Sequence, residues 1–451
     1  MATVLIALLA LLALAGAPAP PPALPNIVVI TVDTLRYDRV SADGYPRPTT
    51  PNLDRLLAAG ARFTQARTVE PLTNPALCSL FTSLYPHEHG ATRNGLRLRA
   101  GAPSVVRLLA RRGYRTAAFV GNWTLRNEIS GLGDPFERYA AVLTRKRWLG
   151  LFKGEATAED LTDAALAWLA ARPANQADRR RPLLLWVHYV DPHAPYLLHA
   201  PFAARLGIDG RGEVSRSDRY DTEVAFADHH VGRLLAALAA DPGLAGTLVV
   251  FAADHGESLG EHGDWGHGRN LYEPALRIPL GFVWPGHVRA GRIDDAASSL
   301  DVAPTLLGLL GLPVPAAFRG FDWSAVLRGE APPPRERTLW FQAHKGAVLS
   351  SRETATARRR GLLAAGVLAW PEGRMEIVRA GSGERAVFDL AADPGETRNL
   401  AAAASPPSER ARGWLVDLRR GLLASDRLAH AGAPGADPES ARRLRALGYT
   451  Q

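Results

Sequence analysis

Cysteine occurs once in 451 residues, at Cys78, so no intramolecular disulfide can hold the chain together. Lysine is nearly missing too: it stands only at 146, 153 and 345, and arginine supplies almost all the positive charge behind a formal net charge of +8. No basic stripe interleaves with aromatic residues, which excludes an evident nucleic-acid interface. A basic surface would instead favour anionic substrates. The chain also lacks a hydrophobic run long enough for a comfortable transmembrane helix. Its apolar N-terminal stretch, Val4 to about Gly16, suits a signal-peptide core, with small residues at Ala15-Gly16-Ala17. No positive charge precedes that stretch and no lipobox cysteine is present. The expectation is export, periplasmic or secreted, with a short uncleaved membrane anchor as the alternative. There is no internal repeat.

What is present is a chain that is 47% hydrophobic, enough for a large core and more than one domain-sized unit. Residues 1–17 read as a signal peptide and 18–25, PAPPPALP, as a proline-rich spacer. Residues 26–32 form a continuous β-branched run that predicts a buried strand ending at Asp33. A helix is predicted over 51–59, with Thr50 as its cap, Pro51 at its first position and Gly60 as its stop. Further helices are predicted over 103–112, 157–171 and 220–240, and strands over 115–120, 183–190 and 247–253. This alternation predicts an α/β fold, a sheet flanked by helices. Composition shifts near 330–337, and short strands at 361–370, 374–378 and 385–390 with a helix at 408–424 predict a smaller antiparallel α+β unit. The catalytic domain is placed at 26–335 and the C-terminal subdomain at 336–451.

Two predicted strands end in carboxylates, Asp33 and Asp254, the latter followed by His255. Ligands of open α/β sheets bind at the carboxyl ends of strands, so residues far apart in sequence converge there. Two carboxylates, an imidazole and a hydroxyl make a four-ligand site for one divalent cation. Mixed N/O ligation suits Mn²⁺ or Zn²⁺ better than Ca²⁺, which stays the alternative. Such a cation lowers a hydroxyl's pKa and orients it for attack.

Several blocks, in order, resemble the sulfatase family of the alkaline phosphatase superfamily: residues 25–34 (PNIVVITVDT), 71–90, 253–257 (ADHGE), 266–273 (GHGRNLYE) with 277–279 (RIP), 301–306, and 388–400 near the C-terminus. The resemblance implies that family's large mixed sheet with a smaller C-terminal antiparallel subdomain. Carried over position by position, it implies Asp33, Asp254 and His255 as metal ligands and Thr73 as ligand and nucleophile. It also implies Asn94 as a contact to a non-bridging oxygen, His193 as a substrate-facing histidine, and His267 where many sulfatases have lysine. Four departures stand out: Thr34 for the second Asp of the metal motif, Thr73 for the formylglycine precursor, Leu77 for its supporting arginine, and Asn122 with Thr124 for a Lys and a His. Thr124 is similar to the threonine of the superfamily's phosphonate monoester hydrolases and phosphodiesterases. Cys78, followed by Ser79-Leu80-Phe81, lacks the proline and arginine of the modification motif and reads as a small buried hydrophobe. His87, His89 and His262 read as structural.

The expected function is metal-dependent hydrolysis of a sulfate or phosphate ester through a covalent intermediate on Thr73. A threonine sulfate must be attacked by water at sulfur, which tilts the expectation towards phosphate esters. A phosphoryl transferase on the same site and a catalytically degenerate binding protein are the alternatives. The expected partner is an anionic small-molecule, lipid or glycan ester. No nucleic-acid partner is expected, and membrane contact only through an uncleaved N-terminal segment.

Overall fold

The computed structural model describes residues 24–147, 152–171, 178, 180–346, 361–402 and 410–428. The segment 1–17, expected to be a signal peptide, and most of the expected spacer 18–25 lie outside the described residues. Among the described residues, no helix is long and apolar enough to cross a membrane.

An eight-stranded sheet forms the main layer. Its strands are β1 Ile27–Val32, β2 Ala61–Arg67, β3 Arg115–Val120, β4 Arg138–Ala141, β5 Leu183–Tyr189, β6 Leu248–Ala253, β7 Leu280–Val283 and β8 Gly291–Ser298, in spatial order 8-2-7-6-1-5-3-4. Only β7 runs antiparallel to its neighbours. β1 lies between β5 and β6, parallel to both, and all six of its residues are buried. Burial on both faces explains its unbroken apolar run. Each buried Val or Ile contributes about 1.5–3 kcal/mol, so β1 is a rigid base for whatever follows it.

The helices that matter here are α1 Pro51–Ala58, α2 Thr73–Thr82, α3 Val105–Arg111, α4 Ala158–Ala170, α5 Arg216–Ala240, α6 Val302–Leu309 and α7 Arg410–Leu428. α1 begins at Pro51 as predicted, but Thr50 does not cap it: its hydroxyl donates to Asp54 Oδ1 at 2.8 Å. Asp228, reaching over from α5, takes the Asn52 and Leu53 amides instead. The helix predicted from residue 103 starts at Val105.

A second sheet follows, an antiparallel meander of β9 Arg337–His344, β10 Leu362–Trp370, β11 Arg374–Arg379 and β12 Arg385–Asp389. One face packs on Leu271 and Leu276, and the other on Ala411, Leu415 and Leu418 of α7. β9 also reaches the segment before α2: Gln342 N donates to Val69 O at 3.0 Å, and His344 contacts both carboxylate oxygens of Glu70.

The end of β2 is tied to the turn at 273–276. Arg67, 1% exposed, grips both oxygens of Glu273 at 2.6 and 2.8 Å. Removing one partner of a buried pair leaves the other charge uncompensated, at a cost of about 3–5 kcal/mol. We expect Arg67→Met to lose stability of that order in urea titration, and Arg67→Met/Glu273→Met to lose distinctly less than Arg67→Met alone.

Candidate active site

The register of the central strands places the candidate residues. Val32 pairs with Ala253, so Asp33 and Asp254 emerge side by side from adjacent parallel strands. Strands pair about 4.8 Å apart, which forces these two carboxylates together. Thr31 pairs with His188 of β5, and Asn122 follows the end of β3. Thr73 is the first residue of α2.

Each ligand-type side chain has one atom fixed by the protein and one turned inward. Asp33 Oδ2 accepts from Asn122 Nδ2 at 2.8 Å, and Oδ1 has no hydrogen-bond partner among the described residues. Asp254 Oδ1 accepts from the Thr34 and His255 amides at 3.2 and 2.7 Å, and Oδ2 likewise has none. His255 Nδ1 donates to Gly256 O at 2.9 Å, which leaves the Nε2 lone pair for another partner. Nε2 lies 3.6 Å from Asp33 Oδ1, 3.6 Å from Asp254 Oδ2 and 3.4 Å from Thr73 Oγ1. Bonds of about 2.1 Å at tetrahedral angles span about 3.4 Å between ligands. The donor set therefore fits a small divalent cation, and its two buried carboxylate oxygens lack a hydrogen-bond partner among the described residues.

The electrostatics agree. Burial alone would raise Asp33, but the His188, His193 and His255 imidazoles outweigh it and hold its carboxyl well below the usual range. Burial, then the charge of Asp33, push Asp254 well up. Two carboxylates this close do not both ionise without a cation between them. Burial, and then His267, push His255 down to about 3, so its imidazole is neutral as ligation requires.

Backbone geometry completes the cradle. Thr34 has φ 57°, a left-handed conformation that costs a β-branched residue and turns its amide onto Asp254. Tyr220 holds that turn by donating to Thr34 O at 2.7 Å and accepting from Arg36 N.

His267 and His193 stand beside this group, with ring centroids 5.3 Å apart; His267 is 4.4 Å from the His255 ring. His267 Nδ1 contacts Glu257 Oε1 at 2.9 Å, and Tyr196 donates to Glu257 Oε2 at 3.0 Å. Burial opposes the charge on His267, but the Glu257 carboxylate outweighs it and raises its pKa. His193 Nδ1 contacts Ala194 O at 2.8 Å and lies 3.5 Å from Glu155. Asn94 Oδ1 accepts from the Asn74 amide at 2.9 Å in the first turn of α2, and its buried Nδ2 has no hydrogen-bond partner among the described residues. Thr124 lies one shell further out: its hydroxyl donates to Asn122 Oδ1, behind the amide that holds Asp33. Cys78 is buried in the core, its thiol 3.5 Å from Asn74 Oδ1 and its pKa pushed up by burial. His89 bonds Ser79 and Ala91 and is structural.

Sequence reasoning missed Asn122 as a holder of Asp33, Glu257 behind His267, and His188 beside Asp33. Glu257 was visible in the ADHGE block, but its role arises only once the 266–268 loop folds over it. A second carboxylate–imidazole group, Asp191, His199 and Glu223, is committed elsewhere: Asp191 takes the Ala158 amide, and Glu223 takes both the Leu197 amide and His199.

Gly256 sits where a Cβ would lie 2.0 Å from Pro274 O, while its amide donates to Ala275 O. We expect Gly256→Ala to displace His255 and Glu257 together and to lower the thermal midpoint measurably, at a cost of at least about 1–3 kcal/mol.

Comparison with known proteins bears on the family and the fold. The sulfatase family model matches residues 25–312. Human arylsulfatase A is 29% identical over 433 residues, covering 83% of each chain, and the choline-sulfatase of Rhizobium meliloti is 28% identical over 453 residues, covering 86% of this chain and 84% of its own. A solved structure of a protein in complex with its substrate D-glucosamine-2-N,6-O-disulfate superposes with TM-score 0.70 at 20% identity, covering 91% of this chain and all of that one. A phosphonate monoester hydrolase from Silicibacter pomeroyi superposes with TM-score 0.63 at 21% identity, covering 89% of this chain and 95% of that one. With the family model matching well over half the chain, on a fold its solved neighbours share, this protein belongs to the sulfatase family of sulfuric ester hydrolases.

Proposed function

We propose that the protein is a metal-dependent ester hydrolase in which Thr73 is the nucleophile. One observation carries the reading: Thr73 Oγ1, Asp33 Oδ1 and Asp254 Oδ2 surround His255 Nε2, and the two carboxylate oxygens have no other partner among the described residues. Asp33, Asp254, His255 and Thr73 would hold one divalent cation, Mn²⁺ or Zn²⁺ by donor type and Ca²⁺ as the alternative. When bound, it lowers the pKa of the threonine hydroxyl and neutralises charge on the ester oxygens.

The chain's own groups supply the rest. The Thr73 oxygen, its proton lost to water, attacks the sulfur of a sulfate ester. The bond from sulfur to the alcohol oxygen breaks, and His267, whose pKa the Glu257 carboxylate raises, gives that oxygen its proton. General acid catalysis of this kind contributes about 10²- to 10⁴-fold. Asn94 Nδ2, without a hydrogen-bond partner among the described residues, donates to a non-bridging oxygen. Water, its proton taken by His193, then attacks the sulfur of the threonine ester; the bond from sulfur to Thr73 Oγ1 breaks, sulfate leaves, and the Thr73 oxygen takes back a proton from water. The curated relatives are sulfatases, which supports a sulfate ester on an anionic small molecule or glycan as substrate. Phosphate esters are the second reading, favoured by threonine in place of the formylglycine precursor and by the phosphonate monoester hydrolase fold neighbour.

Purified protein should be assayed with aryl sulfate, phosphate monoester and phosphodiester, each with Mn²⁺, Zn²⁺ or Ca²⁺ added after chelation. Thr73→Ala should lower kcat/KM by at least about 10³-fold, and acid-quenched wild type should carry a covalent adduct on Thr73 by mass spectrometry. Activity surviving Thr73→Ala sinks the nucleophile assignment. Removing the metal should lower the thermal midpoint, and re-adding it should restore it. That metal dependence should vanish in Asp254→Asn; a variant still taking up one equivalent refutes the ligand set. Cys78→Ala should stay within about threefold of wild-type activity, since a buried thiol of raised pKa is not a nucleophile.

A further inference from the structure

His188 is buried on β5, with one ring nitrogen engaged and the other bare. Nδ1 lies 2.8 Å from Thr31 Oγ1, and Trp186 Nε1 lies 2.9 Å from the same oxygen. Indole N–H only donates, so the Thr31 oxygen accepts from Trp186. A buried hydroxyl then spends its own proton on the partner that remains, His188 Nδ1. With Nδ1 accepting, the neutral ring carries its proton on Nε2. That nitrogen has no hydrogen-bond partner among the described residues and stands 3.7 Å from Asp33 Oδ2. A buried N–H without a partner carries a desolvation cost that asks for a physical account. Here the bare N–H stands beside the oxygen of Asp33 that Asn122 already holds.

We infer that His188 is a positioning residue: the Trp186–Thr31–His188 relay presents an N–H to Asp33 Oδ2, and, with Asn122, keeps Oδ1 turned towards the cation. The inference rests on the reading of Asp33 as a metal ligand. The 3.7 Å separation exceeds hydrogen-bond length. A shift of the carboxylate by under an ångström closes it, and the fixed tautomer ensures that what it meets is a donor. His188 thus supplies Asp33 with the outer-shell grip that usually decides how well a carboxylate ligand binds metal.

The test has two arms. In metal-free protein labelled with ¹⁵N-histidine, His188 should show the Nε2-protonated tautomer, and Thr31→Val should mix the two tautomers; an Nδ1-protonated ring in the wild type overturns the inference. In the second arm, Zn²⁺ and Mn²⁺ affinities are measured by competition with a chelating indicator. His188→Leu should bind about 10- to 100-fold more weakly, and His188→Gln, whose amide nitrogen can replace Nε2, should return to within about threefold. Thr31→Val, close in shape, should weaken binding several-fold and serves if His188→Leu does not fold. Unchanged affinity in a folded His188→Leu, beside a wild type that binds metal, overturns this inference alone. A wild type that takes up no divalent cation refutes the metal reading itself, and this role with it.

Discussion

Two carboxylates buried side by side at the ends of adjacent strands are the constraint around which the rest of this structure is arranged. A buried, unpaired charge costs several kcal/mol even after relaxation, and Asp33 and Asp254 turn bare oxygens into the same space. The fold does not remove that cost. It fixes one oxygen of each with amide donors and leaves the other facing its neighbour, the charge that the proposed cation would compensate. His255 is tuned to the same end: burial keeps it neutral, and the Gly256 carbonyl takes its Nδ1 proton.

The precision comes from the main sheet. β1 is held between two parallel partners over its whole length, so neither aspartate can slide without breaking ladders on both sides. The left-handed backbone at Thr34 is the local strain that this rigidity supports, because it aims an amide at Asp254. On the other side, the Arg67–Glu273 pair fixes the turn whose carbonyls receive the Gly256 and Glu257 amides. A chain of ordinary contacts therefore runs from the end of β2 to the imidazole of His267.

Sequence pattern revealed those parts whose burial leaves a simple signature. The strands ending at Asp33 and Asp254 were legible because two-sided burial writes a continuous apolar run. α4 was legible because Thr157 caps it and its apolar positions recur with helical period. α2 was not legible as a helix: all ten of its residues are buried, which erases amphipathic period, and Pro75, tolerated in the first turn, reads in sequence as a breaker. β2 and β8 escaped because polar residues break up their pattern on the outer side of the sheet. His188 hid inside a strand that read as simply apolar, and its partner Thr31 is adjacent only through register. The family pattern directed attention from Cys78 to Thr73. The structure gives the physical counterpart, a core-packed thiol nearly one and a half helical turns beyond a hydroxyl that meets His255.

The contact between Glu70 and His344 has a consequence for assembly. Glu70 lies three residues before Thr73, and its partner is 274 residues away in the chain. During synthesis the strands carrying both aspartates are complete long before β9 exists, yet the segment leading into Thr73 gains its anchor only when β9 pairs beside it. Contacts of such long sequence separation form late, because loop closure must precede any gain from them. The half of the centre that carries the carboxylates can thus be in place while the Thr73 half still waits on the last quarter of the chain, a built-in order in which the site closes only with the final sheet.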